Sequence, residues 1–138
     1  SYNGEIYNHF QLKKELEKND KYIKWKGHSD TEVLLALIDQ YGLERALIKC
    51  VGMFALAIWD KKNNSLSLAR DRMGEKPLYY GFSGDSENKA FLFGSELSAL
   101  KKWDYFENTI NDAALIQLIN YQAKYDKLKL FKKTKYSC

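Results

Sequence analysis

Asn3, Gly4 and Glu5 stand in a row near the start of the chain, and Asp30 follows within Ser29-Asp30-Thr31-Glu32. An asparagine side chain carries N–H donors. A glycine leaves its own backbone N–H open to close approach by a ligand. One side-chain donor and one backbone donor are the equipment of an oxyanion hole, which holds the charge that builds on a carbonyl oxygen under attack. Glu5 and Asp30 add carboxylates able to meet a substrate ammonium. These types at this spacing point to part of an amide-processing site, and because no nucleophile accompanies them, the reacting residue is expected outside the 138 residues. Each residue also has a plainer reading. Asn-Gly is a frequent hairpin turn, Asp30 is a first-turn helix acid, and Glu5 is a solvated strand position.

The elements that must carry these residues follow from periodicity. Tyr2 to Tyr7 reads as a strand ending in a functional turn. His9 to Lys18 reads as a helix with an incomplete apolar stripe of Phe10, Leu12 and Leu16. Asn19 to His28 is a polar loop. Ser29 opens a capping box, accepting from the Glu32 amide while Glu32 reaches back to the cap. Val33, Leu34, Leu37, Ile38 and Tyr41 then recur at helical spacing until Gly42 stops the helix as a left-handed residue. Leu43 to Cys50 is a second short helix.

Beyond Cys50 the period changes. Gly52 to Asp60 (GMFALAIWD) is a strand-length run apolar on both faces, Lys61 to Asn64 a hairpin turn, and Ser65 to Arg70 an alternating strand. Asp71 to Lys76 is a loop, where Arg70-Asp71-Arg72 and Lys76 lack the Gly-rich cradle of a phosphate site and read as a structural ion-pair loop. Leu78 to Phe82 and Ala90 to Gly94 are strands around a polar turn, Ser83 to Lys89. Ser95 to Lys102 begins a helix with Leu97 and Leu100 inward. Trp59, Tyr79 and Tyr80 read as core residues. Asn111 caps a further helical stripe, Ala114, Leu115, Leu118, Ile119 and Tyr121, and 124–138 fits neither pattern cleanly. Helices followed by antiparallel hairpins predict an α+β layered domain.

Composition narrows the function classes. A hydrophobic fraction of 45% and an aromatic fraction of 14% exclude a disordered chain. No apolar run approaches the roughly 20 residues of a membrane span, and no secretory signal opens the chain. The net charge of +4 is uneven, since six lysines (Lys124, Lys127, Lys129, Lys132, Lys133 and Lys135) face one acid, Asp126. Those lysines sit on no nucleic-acid-binding module, so nucleic acid is not an expected partner. Two cysteines, Cys50 and Cys138, are too few for a disulfide framework and read as reduced cytosolic thiols. His9 and His28 lack ligand spacing, so a protein-built metal site is not expected.

The blocks YNGEIYN (2–8), SDTEVLLALIDQYG (29–42), GMFALAIWD (52–60), LARDRMGEKPLYY (68–80) and FGSELSAL (93–100) resemble, in order and spacing, the glutamine amidotransferase domain of B-type, glutamine-hydrolysing asparagine synthetases. A weaker likeness runs through TINDAALIQLINYQ (109–122), which looks like the opening of the synthetase domain. The resemblance implies a four-layer α/β/β/α N-terminal nucleophile hydrolase sandwich, incomplete here, followed by the first helix of a synthetase domain. The implied division is 1–104 for a partial amidotransferase domain and 105–138 for a linker and truncated synthetase start.

The resemblance also assigns roles. Members of the family hydrolyse glutamine with a cysteine at the mature N-terminus, whose own α-amino group is the base; an amine of pKa about 7.7–8.0 suits that task. By position, Asn3 and the Gly4 N–H become the oxyanion donors, and Glu5 and Asp30 hold the glutamine α-amino end, with Asp30 making the charged contact. The cysteine and the arginine that binds the glutamine carboxylate belong upstream of Ser1 in the family. Ser1 precedes the Asn-Gly-Glu strand directly and is no substitute. The chain itself is expected to hold no cofactor; ATP and Mg belong to the synthetase core, of which no nucleotide loop is present in these residues. The resemblance implies an intact cytoplasmic enzyme, a homodimer, that passes ammonia from glutamine to ATP-activated aspartate, with this chain an internal piece of it or the product of a damaged gene, inactive alone. The alternatives are a relative serving another acceptor, such as a surface-sugar pathway, and a non-catalytic remnant.

Overall fold

A computed structural model describes residues 1–19 and 23–108, and the contacts of the chain fall into two units, Ser1–Lys76 and Pro77–Cys138. The first unit runs β1 (Tyr2–Ile6), α1 (His9–Asn19), α2 (Asp30–Tyr41), α3 (Leu43–Lys49), β2 (Gly52–Asp60) and β3 (Ser65–Arg70). Its three strands form one antiparallel sheet in the order β1-β2-β3, so the long apolar strand β2 is central. Among the described residues, the second unit holds a hairpin, β4 (Tyr79–Ser83) with β5 (Ala90–Gly94), and one turn of helix, α4 (Leu97–Leu100). Antiparallel sheets with helices layered on them are the mixed architecture expected of an incomplete N-terminal nucleophile hydrolase sandwich.

Register explains how the first sheet takes its helices. Tyr2, Gly4 and Ile6 lie opposite Leu56, Phe54 and Gly52, and Leu56 lies opposite Ala69. Directly opposed residues share a face. Ile6, Phe54 and Leu56 join Leu12 and Leu16 of α1, Val33, Leu34 and Leu37 of α2, and Ala46 of α3 in one buried cluster. Burial of such side chains stabilises by about 1.5–3 kcal/mol each. The opposite face carries Asn3, Glu5, Met53, Ala55, Ala57 and Trp59 by the same alternation. Phe54 to Ala57 are buried without a break, as a run apolar on both faces predicts.

Element boundaries sit within a residue or two of expectation, and the departures have local causes. Phe10 is 65% exposed rather than part of the α1 stripe, and its ring lies 4.1 Å from that of His9. Gly42 has a positive φ of 79° but ψ of 161°, so it breaks the helix without being left-handed helical, and its N–H still closes on the Ile38 carbonyl at 2.9 Å. Only half of the capping box forms. Ser29 Oγ accepts from the Glu32 N–H at 3.3 Å, whereas the Glu32 carboxylate passes the cap and takes the Lys26 and Gly27 amides at 2.7 and 3.0 Å. Glu32 thereby ties the preceding loop to the helix.

The aromatic residues read as core are corrected by the structure. Trp59, Tyr79 and Tyr80 are 53%, 46% and 50% exposed. Trp59 lies on the sheet face away from the helices, next to the hairpin turn, and a two-stranded hairpin buries little of either of its faces. On β4 and β5, Tyr80 opposes Phe93 and Phe82 opposes Phe91. These rings share one face, with Phe82 and Phe91 edge to face at 5.0 Å. The helix expected from Ser95 shrinks to Leu97–Leu100, with no fully buried residue. Asn111, the 114–121 stripe and the lysines of 124–135 lie outside the described residues.

Candidate active site

Strand β1 builds the site through its two edges and two faces. Ser1 and Ala57 exchange both backbone hydrogen bonds at 2.9 Å, and the Tyr7 N–H donates to the Val51 carbonyl at 2.8 Å. Odd-numbered residues of β1 therefore point their backbone groups at β2. Even-numbered ones point away, as Ile6 shows by donating its N–H to Asp30 Oδ2 at 2.9 Å. The same alternation directs the Gly4 N–H to that outer edge. Ser1 is committed to the β2 side.

Gly4 has a packing reason for lacking a side chain. A Cβ there would stand 2.2 Å from the Met53 carbonyl oxygen and 2.6 Å from Phe54 Cα. Gly52 meets the mirror condition, with Glu5 O at 2.1 Å. The two strands approach through both glycines, which the Asn-Gly pattern by itself did not reveal. Asn3-Gly4 is thus not a hairpin turn: both residues lie within β1.

Asp30 is the first residue of α2 and lies against β1. Its Oδ2 accepts from the Tyr2 hydroxyl at 2.7 Å and from the Ile6 N–H, the two residues that flank Gly4 at a spacing of two. Burial opposes its charge, yet the bonds from Tyr2 and Ile6, with the nearby His9 ring, hold its carboxyl below the ordinary value of 3.8. The Tyr2 phenol responds in the opposite sense. Burial first, then the bond to Asp30, raises it above its ordinary value of 10. His9 is fixed in turn, Nδ1 lying 2.8 Å from the Ile6 carbonyl oxygen. Asp30 therefore both starts a helix and locks it to the strand.

Asn3 and Glu5 are exposed, on the face of β1 opposite the helices, while Gly4 and Asp30 are half-buried. The structure thus gathers Gly4 and Asp30 about the outer edge of β1 and sets Asn3 and Glu5 on its open face. Tyr2 escaped the sequence reading. Its signal was the strand period, which puts residue 2 on the face and edge of residue 4. Cys50 lies in the core at the end of α3, its Sγ 3.2 Å from the Ala46 carbonyl oxygen, and burial pushes its thiol up to about 11. A thiol so placed is inert.

The loop after β3 departs in part from the ion-pair loop that the sequence predicts. Asp71 is buried and gives its carboxylate to backbone amides of Phe54, Glu75 and Lys76 at 3.2, 3.0 and 3.2 Å. Arg70 donates to the carbonyls of Gly74 and Lys76, and Arg72 to that of Ile48 at 3.0 Å. The loop is structural, and among the described residues its charged side chains pair with backbone groups.

Residues 1–136 match the family model described as a glutamine amidotransferase domain. The chain belongs to that family. It is 44% identical over 99 residues to asparagine synthetase (glutamine-hydrolysing) 3 of Bacillus subtilis, covering 72% of this chain and 15% of the relative. It is 38% identical over 119 residues to a putative asparagine synthetase 2 of Methanocaldococcus jannaschii, covering 81% of this chain and 20% of the relative. The figures for a probable asparagine synthetase of Schizosaccharomyces pombe are 43% over 98 residues, 71% and 17%. The chain spans no more than a fifth of the length of these curated relatives. Among the described residues no helix is long and apolar enough to cross a membrane, and no three His, Cys, Asp or Glu side chains converge as a metal site.

Proposed function

We propose that this chain supplies the oxyanion and substrate-amine half of the glutaminase site of a glutamine-dependent asparagine synthetase. The observation that carries the reading is the Asp30 carboxylate, held ionised by Tyr2 and Ile6 at the same edge of β1 to which the Gly4 N–H points. A charged acceptor and a backbone donor on one strand edge fit the two ends of an amino-acid amide. Asp30, with Glu5, takes the glutamine ammonium. The Gly4 N–H, with the Asn3 side-chain amide, takes the oxygen that gains charge when the carboxamide carbon is attacked. Because both oxyanion donors are carried by one paired strand, little reorganisation is required as the charge develops.

On this proposal the nucleophile would be a cysteine upstream of these residues, and residues downstream would hold the ATP and Mg that activate aspartate. The boundary between the two activities falls near residue 104 on this proposal. The chain by itself then binds glutamine and does not hydrolyse it, because a reaction through an acyl-enzyme stops without its nucleophile.

The test is the DNA on both sides of the reading frame, followed by a glutamate-release assay. An in-frame upstream stretch opening Met-Cys and a downstream ATP-binding core are expected. The protein carrying that cysteine should release glutamate, and Asn3→Ala in it should lower kcat by about 10²–10³, the cost of one oxyanion donor. Release of glutamate by the 138-residue chain alone, or an Asn3→Ala variant with undiminished kcat, would sink the assignment.

A further inference from the structure

Asp71 lies on the far side of β2 from Gly4, and the register joins them through one residue. Phe54 is the partner of Gly4 across β1 and β2. On its other side the β2–β3 register, with Ala55 opposite Arg70, brings Phe54 opposite Asp71. Asp71 donates its N–H to the Phe54 carbonyl at 2.8 Å, as a strand residue does. The return bond is unusual. The Phe54 N–H goes to Asp71 Oδ2, not to a main-chain carbonyl. The side chain extends the ladder by one bond while the backbone turns away into the loop at 72–76, whose amides at Glu75 and Lys76 the same carboxylate collects.

We propose that Asp71 is a positioning residue for the Gly4 oxyanion donor, acting through Phe54. The proposal rests on the reading of Gly4 given above. Phe54 Cα and Met53 O stand so close to Gly4 that no Cβ fits between the strands. Any shift of Phe54 therefore moves Gly4. The bonds between Asp71 and Phe54 fix that residue from the side opposite Gly4, so a carboxylate remote from the outer edge of β1 sets the aim of an N–H on that edge. A neutral amide at position 71 offers one acceptor oxygen in place of two, and cannot serve Phe54, Glu75 and Lys76 together.

The test uses isotope-labelled 138-residue chain, as wild type, Asp71→Asn and Asp71→Ala, with L-glutamine as the probe. Two NMR signals are followed: the cross-peak between the α-protons of Gly4 and Phe54, strong in a directly opposed pair without mutual hydrogen bonds, and the shift of the Gly4 amide at saturating glutamine. The Ile6 amide, bonded to Asp30, reports the ammonium end. In Asp71→Ala the cross-peak should weaken and the Gly4 shift should fall to about half or less, because hydrogen bonds weaken steeply off line. The Ile6 shift should stay at its wild-type size, which separates misaim of one donor from general loosening. Asp71→Asn should show the same loss in smaller degree, and it decides the matter if the alanine variant does not fold. A wild-type cross-peak and a wild-type Gly4 shift in the folded variants would overturn the role of Asp71 alone. A wild-type chain whose Gly4 amide ignores glutamine would overturn the glutamine reading, and the role of Asp71 with it.

Discussion

Gly4 and Asp30 each combine a structural role with a proposed site role, and the physical constraints on them differ. At Gly4 the constraint is space. Gly4→Ala would drive a methyl into the Met53 carbonyl and Phe54 backbone, and should cost about 1–3 kcal/mol, as overpacking does; the urea midpoint measures this, and an unchanged midpoint would show that the strands separate freely. At Asp30 the constraint is charge. Asp30→Asn keeps the shape and an acceptor for the Tyr2 hydroxyl or Ile6 N–H, but it removes the ion proposed to meet a substrate ammonium. L-glutamine affinity should then fall about tenfold or more, given the greater strength of hydrogen bonds to charged groups. Calorimetric titration reads this, and equal affinity in both proteins would return Asp30 to a purely structural role. The four candidate residues were proposed from type and spacing. Tyr2 and Asp71 were not, because a hydroxyl 28 positions from its carboxylate and a carboxylate reaching across a sheet leave no local mark in sequence.

At the level of elements, helix α2 connects core and site. Its apolar residues Val33, Leu34 and Leu37 are buried against the sheet, while its first turn carries Asp30 to β1. Ser29→Ala removes the cap bond to Glu32 and should cost about 1 kcal/mol. Leu37→Ala, at a fully buried position, should cost about 2–5 kcal/mol. Thermal and denaturant melts separate the two, and a Leu37→Ala protein as stable as wild type would contradict the packing. The stripe of α2 and the apolar run of β2 were readable because burial on one face, or on both, writes its period into the chain. The exposure of Phe10 and Trp59 was not readable. An aromatic residue in an amphipathic pattern carries no sign of which neighbouring element reaches far enough to cover it.

Across the first unit, acid stability should follow two carboxylates, the buried Asp71 and the half-buried Asp30. Burial raises Asp30 and Asp71, but hydrogen bonds outweigh it, so both titrate in the folded state below their ordinary value of 3.8. A lowered folded pKa gives stability that is complete above the unfolded pKa and lost as pH falls through the folded one. The melting temperature should therefore vary little on the acidic side of neutrality until about pH 4 and fall below it, with a shallower fall in Asp71→Asn. Tyr2 acts at the other end of the scale. Its folded pKa is raised above 10, so its contribution is present below pH 10 and lost as pH climbs toward the folded value. A circular dichroism melt at each pH checks both limbs; an acid limb unchanged by Asp71→Asn would remove that residue from the balance.

The sequence by itself determined the family, the order of elements, the long two-faced strand and the four residues proposed for the site. All of these are written in residue type, period or short spacing, which act between neighbours in the chain. The tertiary structure decided which edge of β1 the Gly4 N–H faces, what holds Asp30 ionised, why positions 4 and 52 are both glycine, and how the loop after β3 is tied to the strand beside Gly4. Those are set by strand register and by contacts between residues far apart in sequence, and register is fixed only when the faces of the sheet close on a core.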